Sequence, residues 1–330
     1  MVVLEKRIEL ISRLGKYMLS DSEEWAAVKE RAAYANPWFT PEHIDLAITH
    51  IAENYLDINK LQNWINSYTL PVSSVKTGIV TAGNIPLVGF HDFLCGVMSG
   101  HNLLLKLSSK DEVLLSHLIE KLISWEPELA AQIQIADNLK NCQAYIATGS
   151  NNTSRYFEQY FGKYPHIIRR NRTSVAILEG DESEAELKEL AKDVFTYFGL
   201  GCRNVTQVCV PQGYDFNLLL ETFAGYDHLM LHHKYKNNYD YHLAIYLLNK
   251  VPYLTNGSLL LVENSLPFSA VSVLHYRHYE DMRALAHELQ ESGNIQTLVG
   301  RGFTPFGSAQ NPELNEYADG VDTMAFLCSL

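Results

Sequence analysis

The chain has 330 residues, of which 47% are hydrophobic and 19% are charged. It can bury more apolar surface than one compact core usually holds, so we expect two domains. A formal net charge of -12, with no stripe of Lys and Arg, excludes a nucleic-acid partner, because a phosphate backbone would be repelled. No run reaches the roughly 18 apolar residues of a membrane helix, and residues 1–18 lack the apolar core of a signal peptide. These features predict a cytoplasmic protein with no membrane span.

Residues 1–70 are predicted to form an N-terminal helical segment that packs on the domain after it. Leu4, Ile8, Ile11 and Leu14 fall on one face of a helix, and a second amphipathic run follows Pro41. No residue pattern with a chemical role is visible in this segment.

From Lys76 onwards, short β-rich runs alternate with helices. This alternation predicts an α/β domain with a parallel, doubly wound sheet, which we assign to residues 71–170. Ser109 and Glu112 have the spacing of a capping box, so the strand before them is expected to lead into a helix N-terminus that favours phosphate groups. The predicted strands are residues 77–82, 96–98, 102–107 and 144–149, with helices from about Asp111 and after the last strand.

A second α/β unit is predicted over residues 171–300, followed by a tail over residues 301–330. It begins with a helix that is expected to end at Gly199–Gly201, directly before Cys202. The apolar face of this helix comprises Leu187, Leu190, Ala191, Val194, Phe195 and Phe198. After it, residues 205–211 and 258–264 are predicted strands, and residues 215–223, 240–249 and 279–291 are predicted helices.

Cys202 is the candidate nucleophile among the five cysteines. The odd number and the absence of a CxxC spacing argue against a disulfide framework and a zinc cage. A free cysteine is often a buried structural residue, and this remains the alternative for Cys202. However, Gly199 and Gly201 let the backbone turn sharply and bring an amide close to a reacting oxygen, as an acyl-transfer nucleophile requires.

From about Val75 to the C terminus, the order of six short motifs resembles the aldehyde dehydrogenase superfamily. The resemblance implies two α/β domains, a Rossmann-like cofactor domain and a catalytic domain, with the helical segment at the N terminus. Taken singly, each motif is weak, because the glycines could mark ordinary turns and Lys106 could be a surface charge. The motifs are Thr81–Leu87, Gly100–Lys106, Ala147–Ser150, Gly199–Cys202 with Leu200 in place of the family's Gln, Glu263 with Pro267, and Pro305–Ser308.

The resemblance also implies roles for particular side chains. Cys202 matches the superfamily's nucleophile, and Asn84 matches the residue whose amide points at the substrate oxygen. The residues implied to contact a nicotinamide cofactor are Lys106, Ser108, Ser109, Gly149, Ser150 and Glu263.

One departure from the superfamily is informative. Hydrolytic members carry a Glu that activates water, whereas the matching stretch here, His166–Ser174, contains no carboxylate. Such a base typically contributes about 10²–10⁴-fold, so water is not the expected acyl acceptor. The tail, Phe306–Asp322, and the block His232–His242 are similar to short bacterial acyl-CoA reductases related to the fatty-acyl reductase of luminous bacteria.

The expected activity is NAD(P)H-dependent reduction of an acyl-CoA thioester to an aldehyde through a Cys202 thioacyl-enzyme. The oxyanion would be held by the Asn84 side chain and the Cys202 N–H. A homo-oligomer is expected, and no metal. The alternatives are an acyl-phosphate reductase, a non-acylating aldehyde dehydrogenase, and a catalytically silent cofactor-binding partner subunit.

NADPH is expected rather than NADH, which is the alternative. Many family members place a Glu three residues after the strand Lys, and a carboxylate there repels a 2′-phosphate. Here the position holds Ser109, with Lys110 beside it. Ser109 could instead serve only to cap its helix.

Two further clusters carry weaker hypotheses. His228 and His232 have the spacing of one helical face, but no third ligand is evident, so packing or surface roles are preferred over a metal site. Arg169, Arg170 and Arg172 are either a solvated charge run or a site for a phosphate of CoA or of the cofactor.

Overall fold

The computed structural model describes residues 2–330, and for Asn151 it describes the backbone alone. The N-terminal segment is helical, as predicted. Ser22, Thr40 and Asp57 cap the second, third and fourth helices, because each side chain accepts a backbone N–H of the first turn. The helices are α1 (Leu4–Met18), α2 (Glu23–Ala35), α3 (Pro41–Tyr55) and α4 (Ile58–Ile65).

The predicted doubly wound sheet follows. Its strands are all parallel, in the order β3-β2-β1-β4-β5. Strands β2 and β3 are added on one side of β1, and β4 and β5 on the other side. The strands are β1 (Lys76–Val80), β2 (Asn102–Lys106), β3 (Ile133–Ile135), β4 (Ala144–Thr148) and β5 (His166–Arg169). The helices between them are α5 (Phe90–Ser99), α6 (Val113–Trp125), α7 (Leu129–Gln132) and α8 (Asn151–Phe161).

Two local predictions in this region are wrong. Residues 96–98, predicted as a strand, lie in α5, where Val97 and Met98 are buried. A helix buried on all sides has the same apolar run as a buried strand. The capping box is also absent, because α6 begins at Val113 with no side-chain cap. Instead, Ser108 forms the turn after β2, where its carbonyl accepts the N–H of Asp111 at 2.9 Å.

A second sheet is built from the later part of the chain. Its order is β11-β6-β7-β10-β9-β8, and all neighbours are parallel except β8 and β9. The strands are β6 (Thr173–Ile177), β7 (Val205–Pro211), β8 (Leu254–Thr255), β9 (Leu260–Glu263), β10 (Val273–Tyr279) and β11 (Ile295–Val299). The helices are α9 (Glu184–Phe195), α10 (Asn217–Phe223), α11 (His233–Asn249) and α12 (Met282–Glu291).

The helix before Cys202 ends earlier than predicted. α9 stops at Phe195, and a 3₁₀ turn, Thr196–Gly199, follows it. Tyr197 and Phe198 adopt left-handed backbone angles, with φ of 54° and 56°. Phe198 remains 3% exposed. The apolar pattern therefore extends past the end of the helix, because the side chains after Phe195 are still buried although their backbone is no longer α-helical.

The chain divides into two compact units. The first comprises residues up to Asn171 together with Pro312–Leu330, and the second is Arg172–Asn311. The C-terminal segment ends in α13 (Thr323–Cys328), and the Tyr317 hydroxyl of this segment accepts the indole N–H of Trp64 at 2.9 Å. Within residues 2–330, none of the helices combines the length and the apolar character needed to cross a bilayer.

Candidate active site

The carboxyl ends of β1, β2 and β4 form one edge of the first sheet. The strand order reverses between β1 and β4, and ligands of doubly wound sheets bind at such a switch point. Lys106 ends β2 in register with Val80, and its carbonyl accepts the N–H of Thr81 at 3.1 Å. The fold therefore brings Lys106, the loop with Asn84 and the corner Gly149–Ser150 to this edge.

The loops that follow β1 and β2 pack directly on each other. A Cβ atom on Gly83 would lie 2.5 Å from the Oγ atom of Ser108, so a larger residue does not fit. The backbone N–H of Ser108 also donates to Thr81 Oγ1 at 3.1 Å, and its Oγ accepts the N–H of Lys110 at 3.4 Å. Ser108 thus joins the two loops, while the side chains of Ser109 and Lys110 are exposed.

The exposed residue Asn84 lies in a loop that also holds a strained position. Leu87 has a φ of 56°, in the left-handed region that side chains disfavour. Burial raises the pKa of Asp111 well above its ordinary range, and the backbone N–H groups of Leu87 and Val88 nearby act against that rise. Asp111 therefore lies beside the loop that carries Asn84, a position that the sequence did not predict.

The corner after β4 leads into α8. Ser150 is the N-cap of this 11-residue helix, and its Oγ accepts the N–H of Thr153 at 3.3 Å. A Cβ atom on Gly149 would lie 2.9 Å from the ring of Phe157, so close packing of the helix requires this glycine. The positive end of the α8 dipole lies at the carboxyl edge of the sheet, where it favours an anionic group.

In the second unit, Cys202 lies on the turn between the 3₁₀ segment and β7. The turn begins at Gly199, whose φ of 75° is left-handed. The Ser174 hydroxyl donates to the Cys202 carbonyl at 3.2 Å, and the Gly201 N–H donates to Asn204 Oδ1 at 2.7 Å. The residue that matches the superfamily's nucleophile is therefore half-buried on a backbone fixed from both sides.

The other cysteines differ from Cys202 in burial. Cys95, Cys142 and Cys209 are buried, and Cys328 is partly exposed. Burial raises the pKa of the Cys95 thiol well above its ordinary value, and it raises that of Cys209 to about 11. Since the thiolate is the nucleophile, the buried thiols are poor candidates for covalent chemistry.

Glu263 is the last residue of β9 and is exposed. The loop after it is fixed by Gln207, which is fully buried and donates its amide to the carbonyls of Asn264 (2.8 Å) and Leu266 (3.3 Å). The position of Glu263 at a strand end is consistent with a role in ligand binding, and no contact among residues 2–330 assigns that role.

The predicted loop Pro305–Ser308 is attached to α9 by a buried carboxylate. Asp193 accepts the backbone N–H groups of Gly307 (2.6 Å) and Ala309 (3.0 Å). Burial raises the pKa of Asp193 to about 6, against the opposing effect of these two N–H groups. The sequence did not indicate this contact, because Asp193 and Gly307 lie 114 positions apart.

The three arginines of the predicted phosphate cluster have separate partners. Arg169 is 3% exposed and donates to Asp92 and Thr323 inside the first unit, so the hypothesis that it binds a phosphate is wrong. Arg170 is exposed and pairs with Glu158. Arg172 donates to a backbone carbonyl of the second unit, that of residue 295.

The histidine pair does not share an α-helical face. His228 lies in a 3₁₀ helix, Ala224–Leu231, whereas His232 caps α11 and its ring lies 4.5 Å from that of Phe198. Among the described residues, no group of three His, Cys, Asp or Glu side chains is arranged to hold a metal ion.

Comparison with solved structures shows the fold. Aldehyde dehydrogenase 21 from Physcomitrella patens superimposes with a TM-score of 0.67 at 13% identity, covering 91% of this chain and 74% of that one. A putative aldehyde dehydrogenase from Burkholderia cenocepacia gives 0.65 at 13% identity, covering 93% and 76%. An NADP-dependent enzyme from E. coli gives 0.66 at 11% identity, covering 90% and 73%. The chain therefore has the aldehyde dehydrogenase fold.

Sequence comparison identifies the family. No curated protein sequence matches the chain. The family model for acyl-CoA reductase (LuxC) matches residues 5–217, which include the switch-point loops and Cys202. The chain therefore belongs to the acyl-CoA reductase (LuxC) family.

Proposed function

We propose that the chain reduces an acyl-CoA thioester to an aldehyde through a thioacyl-enzyme on Cys202. Family membership supports the substrate class. The observation that carries the choice of nucleophile is the half-buried Cys202 on its fixed turn, in contrast to the buried thiols of Cys95, Cys142 and Cys209.

In the proposed cycle, the Cys202 thiolate attacks the carbonyl carbon of the thioester. The new bond joins Sγ to the acyl carbon, the bond from that carbon to the CoA sulfur breaks, and CoA leaves as a thiolate that takes up a proton. The Asn84 amide and the Cys202 N–H donate to the carbonyl oxygen while it carries negative charge. A nicotinamide, when bound, supplies the hydride for reduction of the acyl group. The bond from the acyl carbon to Sγ then breaks, the aldehyde leaves, and Sγ returns to the thiolate that began the cycle.

We propose that the first unit binds the nicotinamide cofactor. The donors at the switch point suit a dinucleotide, because Lys106 and the N-terminus of α8 offer positive charge to its phosphate and ribose groups. Ser109 and Lys110 favour NADPH, since neither repels a 2′-phosphate. Ser109 does not cap α6, which leaves its exposed side chain available to a ligand. Glu263 is the proposed contact to the nicotinamide ribose.

We propose that the thioacyl-enzyme is reduced by hydride rather than hydrolysed by water. The stretch His166–Ser174 forms β5, a short loop and the start of β6, and it contains no carboxylate that could activate water. An acyl phosphate in place of acyl-CoA remains the alternative substrate, and a homo-oligomer is the proposed assembly.

The test is an assay of NADPH oxidation with acyl-CoA, acyl phosphate and aldehyde substrates over several chain lengths. Cys202→Ala should abolish turnover with the circular dichroism spectrum unchanged, whereas the matched variant Cys328→Ala, also partly exposed, should keep its activity. Without NADPH, mass spectrometry should find the acyl group on the Cys202 peptide. An active Cys202→Ala enzyme alongside inactive Cys95→Ala or Cys142→Ala would overturn the assignment. A reactive Cys202 without turnover on any activated acyl substrate would indicate a silent subunit.

A further inference from the structure

The buried side chain of Asn204 holds the turn that carries Cys202. Asn204 has no exposed surface. Its amide nitrogen donates to the carbonyls of Asp193 (2.9 Å) and Thr196 (2.8 Å) at the end of α9. Its amide oxygen accepts the N–H of Gly201 at 2.7 Å. One carboxamide thus satisfies backbone groups that a buried helix end would otherwise leave without partners.

Hydrogen bonds also fix the peptide groups on both sides of Cys202. The backbone N–H of Asn204 donates to the Gly201 carbonyl at 3.1 Å, and Ser174 Oγ donates to the Cys202 carbonyl at 3.2 Å. Because the peptide between Gly201 and Cys202 is planar and trans, the Cys202 N–H points opposite to the Gly201 carbonyl. It therefore points away from Asn204, in a direction that Asn204 and Ser174 set together.

We infer that Asn204 is a positioning residue for the nucleophile, acting through the backbone of the Cys202 turn. This inference rests on the proposed function, because it concerns the step in which Sγ attacks the acyl carbonyl. Attack requires Sγ and the Cys202 N–H to be aimed at the same carbonyl group. A displacement of about 1 Å can lower the rate of such a step about 10²-fold.

The test compares Asn204→Ala with Asn256→Ala. Asn256 is a matched control in the same unit, because its carboxamide also bonds mainly to backbone. It accepts the N–H of Leu259 at 2.9 Å and donates to the Leu220 carbonyl at 3.2 Å, and its oxygen also accepts the Ser258 hydroxyl. When acyl-CoA is added without NADPH, the maximal rate constant for acylation of Cys202 should be about 10²-fold lower in Asn204→Ala. The acyl-CoA concentration that gives half of the maximal rate should change little. Hydrogen exchange of residues 196–204 should become faster. Asn256→Ala should change neither quantity.

Ser174→Ala provides a second variant that removes a single hydroxyl. It should slow acylation about fivefold, since one hydrogen bond is lost. Faster exchange of residues 196–204 with an unchanged acylation rate would show that Asn204 is only structural. If Asn204→Ala does not fold, an unchanged rate in Ser174→Ala would overturn the inference. A wild-type enzyme that forms no Cys202 adduct would instead overturn the proposed function itself, while the exchange data would still report on the turn.

Discussion

Asn84 is exposed in the loop that follows β1, beside the buried Asp111. If this amide donates to the oxyanion, its loss acts on the transition state more than on substrate binding. We expect Asn84→Ala to lower kcat by about 10²–10³-fold with a smaller change in KM. Asn84→Asp keeps the shape but removes the donor, so it should be at least as slow. Steady-state kinetics test this, and an unchanged kcat in Asn84→Ala would remove the residue from the site.

Ser109 is the residue on which the choice between NADPH and NADH is proposed to depend. A carboxylate at this exposed position would repel a 2′-phosphate and bind ribose hydroxyls instead. Ser109→Glu should therefore weaken kcat/KM with NADPH and spare or improve it with NADH. The control is Ser124→Glu, an exposed serine in α6 that adds the same charge elsewhere. A wild-type preference for NADH, or a cofactor ratio that Ser109→Glu leaves unchanged, would contradict the proposal.

The positions of single residues in the fold, although not their roles, were predictable where the neighbouring residues form a recognisable strand or turn. Lys106 follows a run of apolar strand residues, and Cys202 follows glycines. Asp193 and Asn204 were not predicted, because their roles depend on backbone partners. Asp193 bonds to Gly307, 114 positions away, and no local pattern specifies that contact.

At the scale of elements, the strands with turn residues at both ends were predicted well. β2, β4, β7 and β9 lie within the predicted segments, and β1 begins one residue before its segment. The failures occurred where hydropathy is uninformative, as in residues 96–98 of α5, which are buried. The predicted end of α9 was wrong for a related reason, since Phe198 stays buried after the helix has ended.

The attachment of the loop Pro305–Ser308 to α9 predicts a dependence of stability on pH. The pKa of Asp193 in the folded protein is about 6, above that of an ordinary carboxyl group, because burial disfavours the charged form. The folded state therefore binds the proton more tightly, and this stabilising contribution is present at low pH and is lost as the pH rises through about 6. The loss amounts to about 3 kcal/mol.

Asp193→Asn should lack this titration, although it loses an acceptor for one of the two loop N–H groups. The free energy of unfolding of wild type minus that of Asp193→Asn should fall by about 2 kcal/mol from pH 4.5 to pH 7.5, because the rest of the loss occurs below pH 4.5. Urea denaturation across that range measures it. Asp227→Asn, at an exposed site in the same unit, is the control. A difference that stays constant with pH would show that Asp193 is ionised throughout.

At the scale of the whole molecule, the chain leaves the first unit at Asn171 and returns to it at Pro312. The returning segment packs against helices from the other end of the sequence. Tyr317 bonds to Trp64, 253 positions away, and His101 bonds to the carbonyl of Leu327 at 2.8 Å. Sequence patterns predicted a tail without predicting where it packs, because only tertiary contacts determine its place.

The arginine of a buried ion pair in the first unit also donates to this returning segment. Arg169 at the end of β5 donates to Asp92 in α5 and, at 2.6 Å, to the hydroxyl of Thr323 in α13. Arg169→Met would leave the Asp92 carboxylate buried without its cation, which should lower the free energy of unfolding of the first unit by about 3–5 kcal/mol. The exposed pair of Arg170 and Glu158 is the control, since Arg170→Met should cost less than about 1 kcal/mol.

The double variant Arg169→Met with Asp92→Leu gives the sharper test. Replacing both members of a buried pair by apolar residues removes the stranded charge, so the double variant should be more stable than Arg169→Met alone. Tryptophan fluorescence during urea unfolding reports on this unit, because all four tryptophans lie between residues 25 and 125. A double variant no more stable than the single one would show that Asp92 is not the group destabilised by losing Arg169. Unchanged affinity for CoA in a folded double variant is also expected, since the guanidinium of Arg169 is already occupied inside the first unit.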